Sequence, residues 1–155
     1  MILKTRGVRV CVLLLISCAI GCLGEVCKET LAQAKPPDVQ FLTADELKAK
    51  ISRNEPVAII DVRATSGLLA SDNKIKGAVY VKLRRLNSRL NMAPLKDVPR
   101  TQEVVTYCAC PNDESSIRAA QVLLEAGFTR VRVLKGGWVT WKKVNGQVEP
   151  LAKVM

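Results

Sequence analysis

Short apolar runs alternate with helical stretches along most of this chain, and that alternation restricts the fold more than any other feature. Strands that alternate with helices pack as a parallel sheet covered by helices. We therefore predict an α/β domain with a parallel sheet. The expected strands are residues 39–41, 57–60, 78–81, 103–107 and 130–134.

Two of the predicted helices have recognisable ends. Thr43 begins a capping-box pattern, which predicts a helix through about Ser52. Ser115 or Ser116 is expected to cap a second helix, and Gly127 is expected to end it in a left-handed conformation.

The chain has 155 residues, with six cysteines and no histidine. Without histidine there is no Ser-His or Cys-His catalytic arrangement and no His-ligated metal site. A catalyst built from this chain must therefore obtain its base or its activated nucleophile from other residues. Four of the cysteines lie in the first 30 residues, and only Cys108 and Cys110 lie in the body of the chain.

The first 34 residues are typical of an export leader. Basic residues precede an apolar run over residues 10–24, which is short for a membrane span. Cys18 and Cys22 each follow residues that resemble a bacterial lipobox, so either is a candidate for lipid attachment. Simple secretion, with cleavage after Ala34, and an uncleaved anchor remain alternatives. We expect an exported protein that is periplasmic or membrane-anchored, like a bacterial lipoprotein.

The rest of the chain is predicted to be a single domain at residues 35–150, followed by a short tail at 151–155. The chain has a net charge of +10, and residues 1–34 hold four basic and two acidic side chains, which leaves +8 on the remainder. We interpret this excess as solvated surface. Nucleic acid is not an expected partner, because there is no stripe of alternating basic and aromatic residues.

Cys108 and Cys110 occupy the most informative position in the sequence. They follow a buried strand and precede a helix, at the edge of an α/β sheet where ligands bind. The helix N-terminus and the loop amides lower the pKa of a thiol placed there, so a reactive thiolate does not need histidine.

The body, from about residue 39 to 144, resembles the rhodanese-like family of sulfurtransferases. The similar segments are Ile59-Ile60-Asp61-Val62-Arg63, Ile75-Lys76-Gly77-Ala78, Val104-Val105-Thr106-Tyr107-Cys108, Gly127-Phe128, Leu134-Lys135-Gly136-Gly137-Trp138, and Trp141. The resemblance implies a five-stranded parallel sheet flanked by helices on both faces. It also implies a cysteine that accepts a sulfane sulfur as a persulfide and passes it to a thiol or another thiophilic acceptor, without a cofactor.

The resemblance leaves the identity of the nucleophile open. The family's nucleophile directly follows the aromatic residue of the strand, which favours Cys108 after Tyr107. Counting back from Gly127 gives the usual loop length for Cys110 instead. We favour Cys108, and either thiol can resolve a persulfide on the other.

The implied substrate-binding loop departs from the family pattern. Asp113 and Glu114 lie where many members have Gly and Arg, and two carboxylates would repel dianionic thiosulfate. A protein persulfide or a small-thiol persulfide is therefore the expected donor. Arg118, about one turn into the helix, either offsets the acidic charge or faces solvent. The loop residues are Ala109, Pro111, Asn112, Asp113, Glu114, Ser115 and Ser116.

Other conspicuous residues are expected to be structural. Asp61 ends a strand, where its carboxylate is suited to bind loop amides, and Arg63 is expected to pair with it or with a neighbouring carboxylate. Trp138 and Trp141 are expected to pack beneath the last helix.

Two alternatives to a sulfurtransferase remain. One is a binding or scaffold module that keeps the fold without its chemistry, and the other is a thiol redox protein that uses both body cysteines. A Cys-x5-Arg phosphatase is disfavoured, because Glu114 and Ser116 occupy the positions where its arginine would be needed. A zinc site is also disfavoured, because the body has two sulfur ligands and no histidine.

Overall fold

The computed structural model of the chain describes residues 38–151. The predicted leader, with the lipidation candidates Cys18 and Cys22, lies outside the described residues, as does most of the tail. Within residues 38–151, no helix is both long enough and apolar enough to cross a lipid bilayer.

A parallel sheet of five strands forms the centre of the domain, as predicted. In spatial order the strands run β1, β6, β5, β2, β4, and every neighbouring pair is parallel. The strand that precedes the cysteine pair therefore has a neighbour on each side. The strands are β1 (Gln40–Leu42), β2 (Val57–Asp61), β4 (Val79–Tyr80), β5 (Glu103–Tyr107) and β6 (Arg130–Leu134).

Helices cover both faces of this sheet, which also agrees with the prediction. The helices are α1 (Ala44–Ser52), α2 (Thr65–Leu69), α3 (Leu86–Arg89), α4 (Glu114–Glu125) and α5 (Gly137–Lys143). On one face Leu86 of α3 and Leu123 of α4 pack against Val104 of β5. On the other face Leu47 of α1 and Trp141 of α5 belong to the same cluster as Val105. Successive side chains of β5 thus enter opposite cores, as expected for a strand covered on both sides.

Of the three predicted helix ends, two were confirmed and one was wrong. Thr43 and Glu46 form the reciprocal capping box at the start of α1, and Gly127 follows α4 with a φ of +89°. The predicted serine cap of α4 is wrong, because the cap residue is Asp113 and the helix begins at Glu114. Asp113 adopts a left-handed conformation and makes no capping hydrogen bond with its side chain.

A second, two-stranded sheet was not predicted. The strands β3 (Asn73–Ile75) and β7 (Val148–Pro150) pair antiparallel. Each has three residues, too few for a visible alternation of apolar and polar positions. An ion pair between Lys74 and Glu149 links the two strands, with Nζ and Oε1 2.8 Å apart.

Candidate active site

The cysteine pair lies in the loop that joins β5 to α4, at the carboxyl edge of the central strand. Cys108 directly follows β5, and Cys110 lies two residues later, before a short 3-10 turn at Pro111–Asp113. Asn112 and Asp113 both have a φ of +56°. Two consecutive left-handed residues bend the chain sharply, so the loop folds back over the start of α4.

Cys108 is buried beneath this loop. Its side chain is 1% exposed, and both thiols of the pair are free. The backbone N–H of Cys110 donates to Cys108 Sγ at 3.5 Å, and Ser116 Oγ lies 3.4 Å from the same sulfur. Burial, together with the adjacent Cys110 side chain, raises the pKa of the Cys108 thiol. Cys108 is therefore the member of the pair that holds its proton.

Cys110 differs from Cys108 in both its burial and the direction of its pKa shift. It is only half-buried, and the backbone N–H of Ser115 in the first turn of α4 donates to its Sγ at 3.5 Å. Burial acts to raise the pKa of Cys110, but the adjacent Cys108 side chain and the hydrogen bonding of Ser115 outweigh burial and lower it. The two thiols thus differ: Cys108 is buried and its pKa is raised, whereas Cys110 is half-buried and its pKa is lowered.

The two acidic loop residues differ in their surroundings. Asp113 is 7% exposed, and its Oδ2 accepts a hydrogen bond of 2.8 Å from the backbone N–H of Gly136. That carboxylate ties the loop to the turn between β6 and α5. Glu114 is exposed. Of the two carboxylates expected to repel an anionic donor, only Glu114 has no such anchor.

The turn between β6 and α5 supports the backbone beneath the cysteines. Trp138 N–H donates to the Cys108 carbonyl oxygen at 2.8 Å. Gly137 has a φ of +45°, and a Cβ at that position would lie 2.1 Å from the same carbonyl oxygen. Only glycine allows this close approach. Gly137 therefore lets the turn between β6 and α5 pack directly against the backbone of Cys108.

Replacing Gly137 with alanine is expected to destabilise the domain strongly. The left-handed backbone and the clash with Cys108 together should lower the free energy of unfolding by about 3 kcal/mol. Urea denaturation of the purified variant measures this loss. Gly127→Ala is the matched control, because Gly127 also has a positive φ but nothing within 4 Å of the added Cβ outside its own neighbours and helix. Equal losses in the two variants would contradict the proposed contact.

Asp61 and Arg63 form a fully buried ion pair, with Nη2 and Oδ2 2.7 Å apart. The Tyr107 hydroxyl donates to Asp61 Oδ2 at 2.7 Å, and it accepts the backbone N–H of Ile75. Burial, with the adjacent Asp61 charge, raises the pKa of Tyr107 and keeps its proton on the hydroxyl. The guanidinium carbon of Arg63 lies 4.5 Å from the ring centroid of Trp138. These contacts join β2, β3, β5 and α5.

The remaining predicted site residues lie on the cysteine loop and on α4. Ala109, Pro111 and Asn112 are exposed on the loop, and Arg118 is exposed on α4. Ser116 is buried, with Oγ 2.9 Å from the Asp113 carbonyl oxygen. Within residues 38–151, no group of three or more His, Cys, Asp or Glu side chains is placed to hold a metal ion.

Comparisons with known proteins agree with this architecture. The protein named "Putative thiosulfate sulfurtransferase SseB" from Mycobacterium tuberculosis is 32% identical over 130 residues, which cover 70% of this chain and 46% of that relative. This chain thus spans less than half of that relative's length. A "Sulfurtransferase" from Allochromatium vinosum is 23% identical over 105 residues, covering 68% of this chain and 90% of the relative.

The fold also has solved counterparts. The crystal structure of the Alr3790 protein from Anabaena sp. matches with a TM-score of 0.61 and 31% identity, covering 73% of this chain and 84% of that one. Residues 43–144, from the α1 cap to the end of α5, match the family model described as Rhodanese-like domain. That match spans the sheet, the cysteine loop and the glycine turn together, and the chain therefore belongs to the rhodanese-like domain family.

Proposed function

We propose that this protein is a sulfurtransferase in which Cys110 carries the transferred sulfur as a persulfide. The observation that carries this proposal is the contrast between the two thiols. Cys110 is accessible, lies at the start of α4 and has a lowered pKa, whereas Cys108 is buried with a raised pKa. A thiolate is the nucleophilic form of cysteine, and the Ser115 amide at the start of α4 donates to the Cys110 sulfur and stabilises that form.

The transfer needs two displacement steps and no external oxidant or reductant. In the first step the Cys110 thiolate attacks the outer sulfur of a donor persulfide, a new S–S bond forms, and the donor thiolate leaves. In the second step an acceptor thiolate attacks the outer sulfur on Cys110. The bond from Sγ to that sulfur breaks, and Cys110 leaves as a thiolate. Both steps follow the chemistry of thiol–disulfide exchange.

The preferred donor in this proposal is an organic persulfide rather than thiosulfate. The exposed carboxylate of Glu114 lies next to Ser115, whose amide contacts the Cys110 sulfur. Thiosulfate, which has two negative charges, is therefore repelled more strongly than a persulfide with one negative charge.

Mass spectrometry of the purified protein tests the proposal directly. After exposure to inorganic polysulfide or to thiosulfate, the peptide of residues 101–118 should gain the mass of one sulfur, which cyanide or excess thiol removes. Fragmentation should place the added sulfur on Cys110. A further sample receives 2-mercaptoethanol persulfide, which has a single negative charge, and we expect more adduct from it than from dianionic thiosulfate.

Two variants test which of the two cysteines carries the added sulfur. Cys108→Ala should keep the adduct, and Cys110→Ser should lose it. If neither donor modifies the wild-type peptide, the chain is not a sulfurtransferase and the scaffold alternative gains support. A Cys108–Cys110 disulfide forming in place of the persulfide would support the thiol redox alternative.

A further inference from the structure

Asp113 occupies the N-cap position of α4, but its side chain does not cap the helix. An aspartate at an N-cap normally has extended backbone angles, and its carboxylate accepts the N–H of the second or third helical residue. In α4 these residues are Ser115 and Ser116. Asp113 instead has a φ of +56°, and its side chain makes no capping hydrogen bond. The N–H groups of the first turn are therefore available to another acceptor.

The Cys110 sulfur occupies the place of that acceptor. The Ser115 N–H, which a capping carboxylate would accept, donates to Cys110 Sγ at 3.5 Å. This N–H lies at the positive end of a helix of 12 residues, where a negative charge is favoured. A thiolate at Cys110 is stabilised by the hydrogen bond and by the helix end together. Asp113 and Cys110 are thus alternative acceptors for one donor.

The Asp113 carboxylate lies against the turn between β6 and α5 instead. Its Oδ2 accepts the Gly136 N–H at 2.8 Å, and the residue is 7% exposed. Within residues 38–151, Asp113 forms no ion pair with a lysine or an arginine. A buried carboxylate is costly unless it is hydrogen-bonded. The Gly136 N–H supplies the hydrogen bond that this carboxylate needs.

We infer that Asp113 is a positioning residue, whose hydrogen bond to Gly136 keeps the Ser115 N–H free for the Cys110 sulfur. This inference rests on the proposed role of Cys110 as the sulfur carrier. A carboxylate turned toward α4 would accept the Ser115 N–H and place a negative charge beside the thiolate. Both effects would make Cys110 less reactive. The turn between β6 and α5 thus acts on the nucleophile through Asp113.

Two replacements of Asp113 remove the contact with Gly136 in different ways. Asp113→Gly tolerates the left-handed backbone without strain but has no side chain to bind Gly136. Asp113→Ser introduces a preferred N-cap residue, whose hydroxyl should accept the Ser115 N–H in place of the Cys110 sulfur. In both variants the pKa of Cys110 should rise by about one unit, the scale of losing one hydrogen bond to a charged group.

The pH dependence of iodoacetamide labelling of Cys110 in the full-length protein, followed by mass spectrometry, measures this shift. Asp113→Asn is the conservative variant, because asparagine keeps an oxygen that accepts the Gly136 N–H and tolerates a left-handed backbone. Its labelling midpoint should stay at or below that of the wild type, since the variant also lacks the carboxylate charge. If Asp113 acted through its charge alone, no replacement would raise the midpoint, and the inference would be wrong.

Asn112→Gly is the matched control for the flexibility of the loop. Asn112 precedes Asp113 in the chain, has the same φ of +56° and is exposed. Its replacement adds the same backbone freedom but keeps the Asp113 carboxylate, so its labelling midpoint should rise less than that of Asp113→Gly. Glu114→Gln removes the neighbouring exposed carboxylate and should not raise the midpoint. Equal shifts in Asn112→Gly and Asp113→Gly would overturn the inference.

Stability separates a positioning role from a purely structural one. Asp113→Ser gains a cap on α4, so its unfolding midpoint in urea should fall less than that of Asp113→Gly. The labelling midpoints of the two variants should nevertheless rise alike. A labelling midpoint that rises only as far as stability is lost would assign Asp113 a structural role alone.

Persulfide loading distinguishes this inference from the proposed function. Each variant is exposed to inorganic polysulfide, and the sulfur adduct on Cys110 is measured as for the wild type. We expect slower loading of Asp113→Gly and Asp113→Ser at neutral pH. Normal loading of the wild type, with unshifted labelling midpoints in both variants, overturns the role of Asp113 and leaves the sulfurtransferase proposal intact. Failure of wild-type Cys110 to load refutes that proposal instead.

Discussion

Arg63→Ala is expected to lower the free energy of unfolding by about 3–5 kcal/mol, the usual cost of removing one partner of a buried ion pair. Arg63 and Asp61 are both fully buried. Without the guanidinium, Asp61 keeps a buried charge whose remaining side-chain partner is the Tyr107 hydroxyl. The variant also loses the contact of the guanidinium with the Trp138 ring.

Urea denaturation followed by tryptophan fluorescence measures this loss. Arg53→Ala is the matched control, because Arg53 pairs with Glu55 at the surface, where its side chain is 62% exposed. An exposed pair contributes at most about 1 kcal/mol. If the two variants unfold at the same urea concentration, the Asp61–Arg63 pair does not stabilise the fold as argued.

The sequence predicted those structural elements that can be recognised from a few consecutive residues. The Thr43 capping box, the Gly127 helix end and the apolar run of β5 each need only a few neighbouring residues to be recognised. The pairing of β3 with β7 joins residues far apart in the chain, and neither three-residue strand carries a periodic signal. Asp113, rather than a serine, is the cap residue of α4, and its carboxylate binds the Gly136 N–H, a contact between residues far apart in the chain.

For the cysteine pair too, the sequence predicted the features that depend on neighbouring residues but not those that depend on the fold. Its position between β5 and α4 followed from the alternation of strand and helix, whereas the difference in burial between the two thiols depends on the bend at Asn112 and Asp113. Lys82 and Arg84 were not singled out, although they stand in a basic Lys-Leu-Arg-Arg run after a strand. They line a pocket together with one side of α4, from Ser115 to Glu125, and only the folded chain brings these segments together.

Cys110→Ser is expected to reduce sulfur transfer at least about a thousandfold, the scale of losing a covalent nucleophile. Cys108→Ala should retain transfer at a reduced rate at neutral pH. The reason is that the adjacent Cys108 side chain contributes to the lowered pKa of the Cys110 thiol. Steady-state rates with polysulfide as donor and a small thiol as acceptor measure both effects.

The pH dependence of alkylation tests the role of Cys108 separately from turnover. Iodoacetamide reacts with the thiolate, so in the wild type the labelling of Cys110 should reach half its maximum below the pH typical of a free cysteine. In Cys108→Ala that midpoint should move to higher pH, because the adjacent side chain that contributes to the lowered pKa of Cys110 is missing. Ser116→Ala is the control, since Ser116 contacts Cys108 but not Cys110. A midpoint that stays in place in Cys108→Ala would mean that the helix start and the Ser115 amide suffice to activate Cys110, and that the buried thiol only fills space beneath the loop.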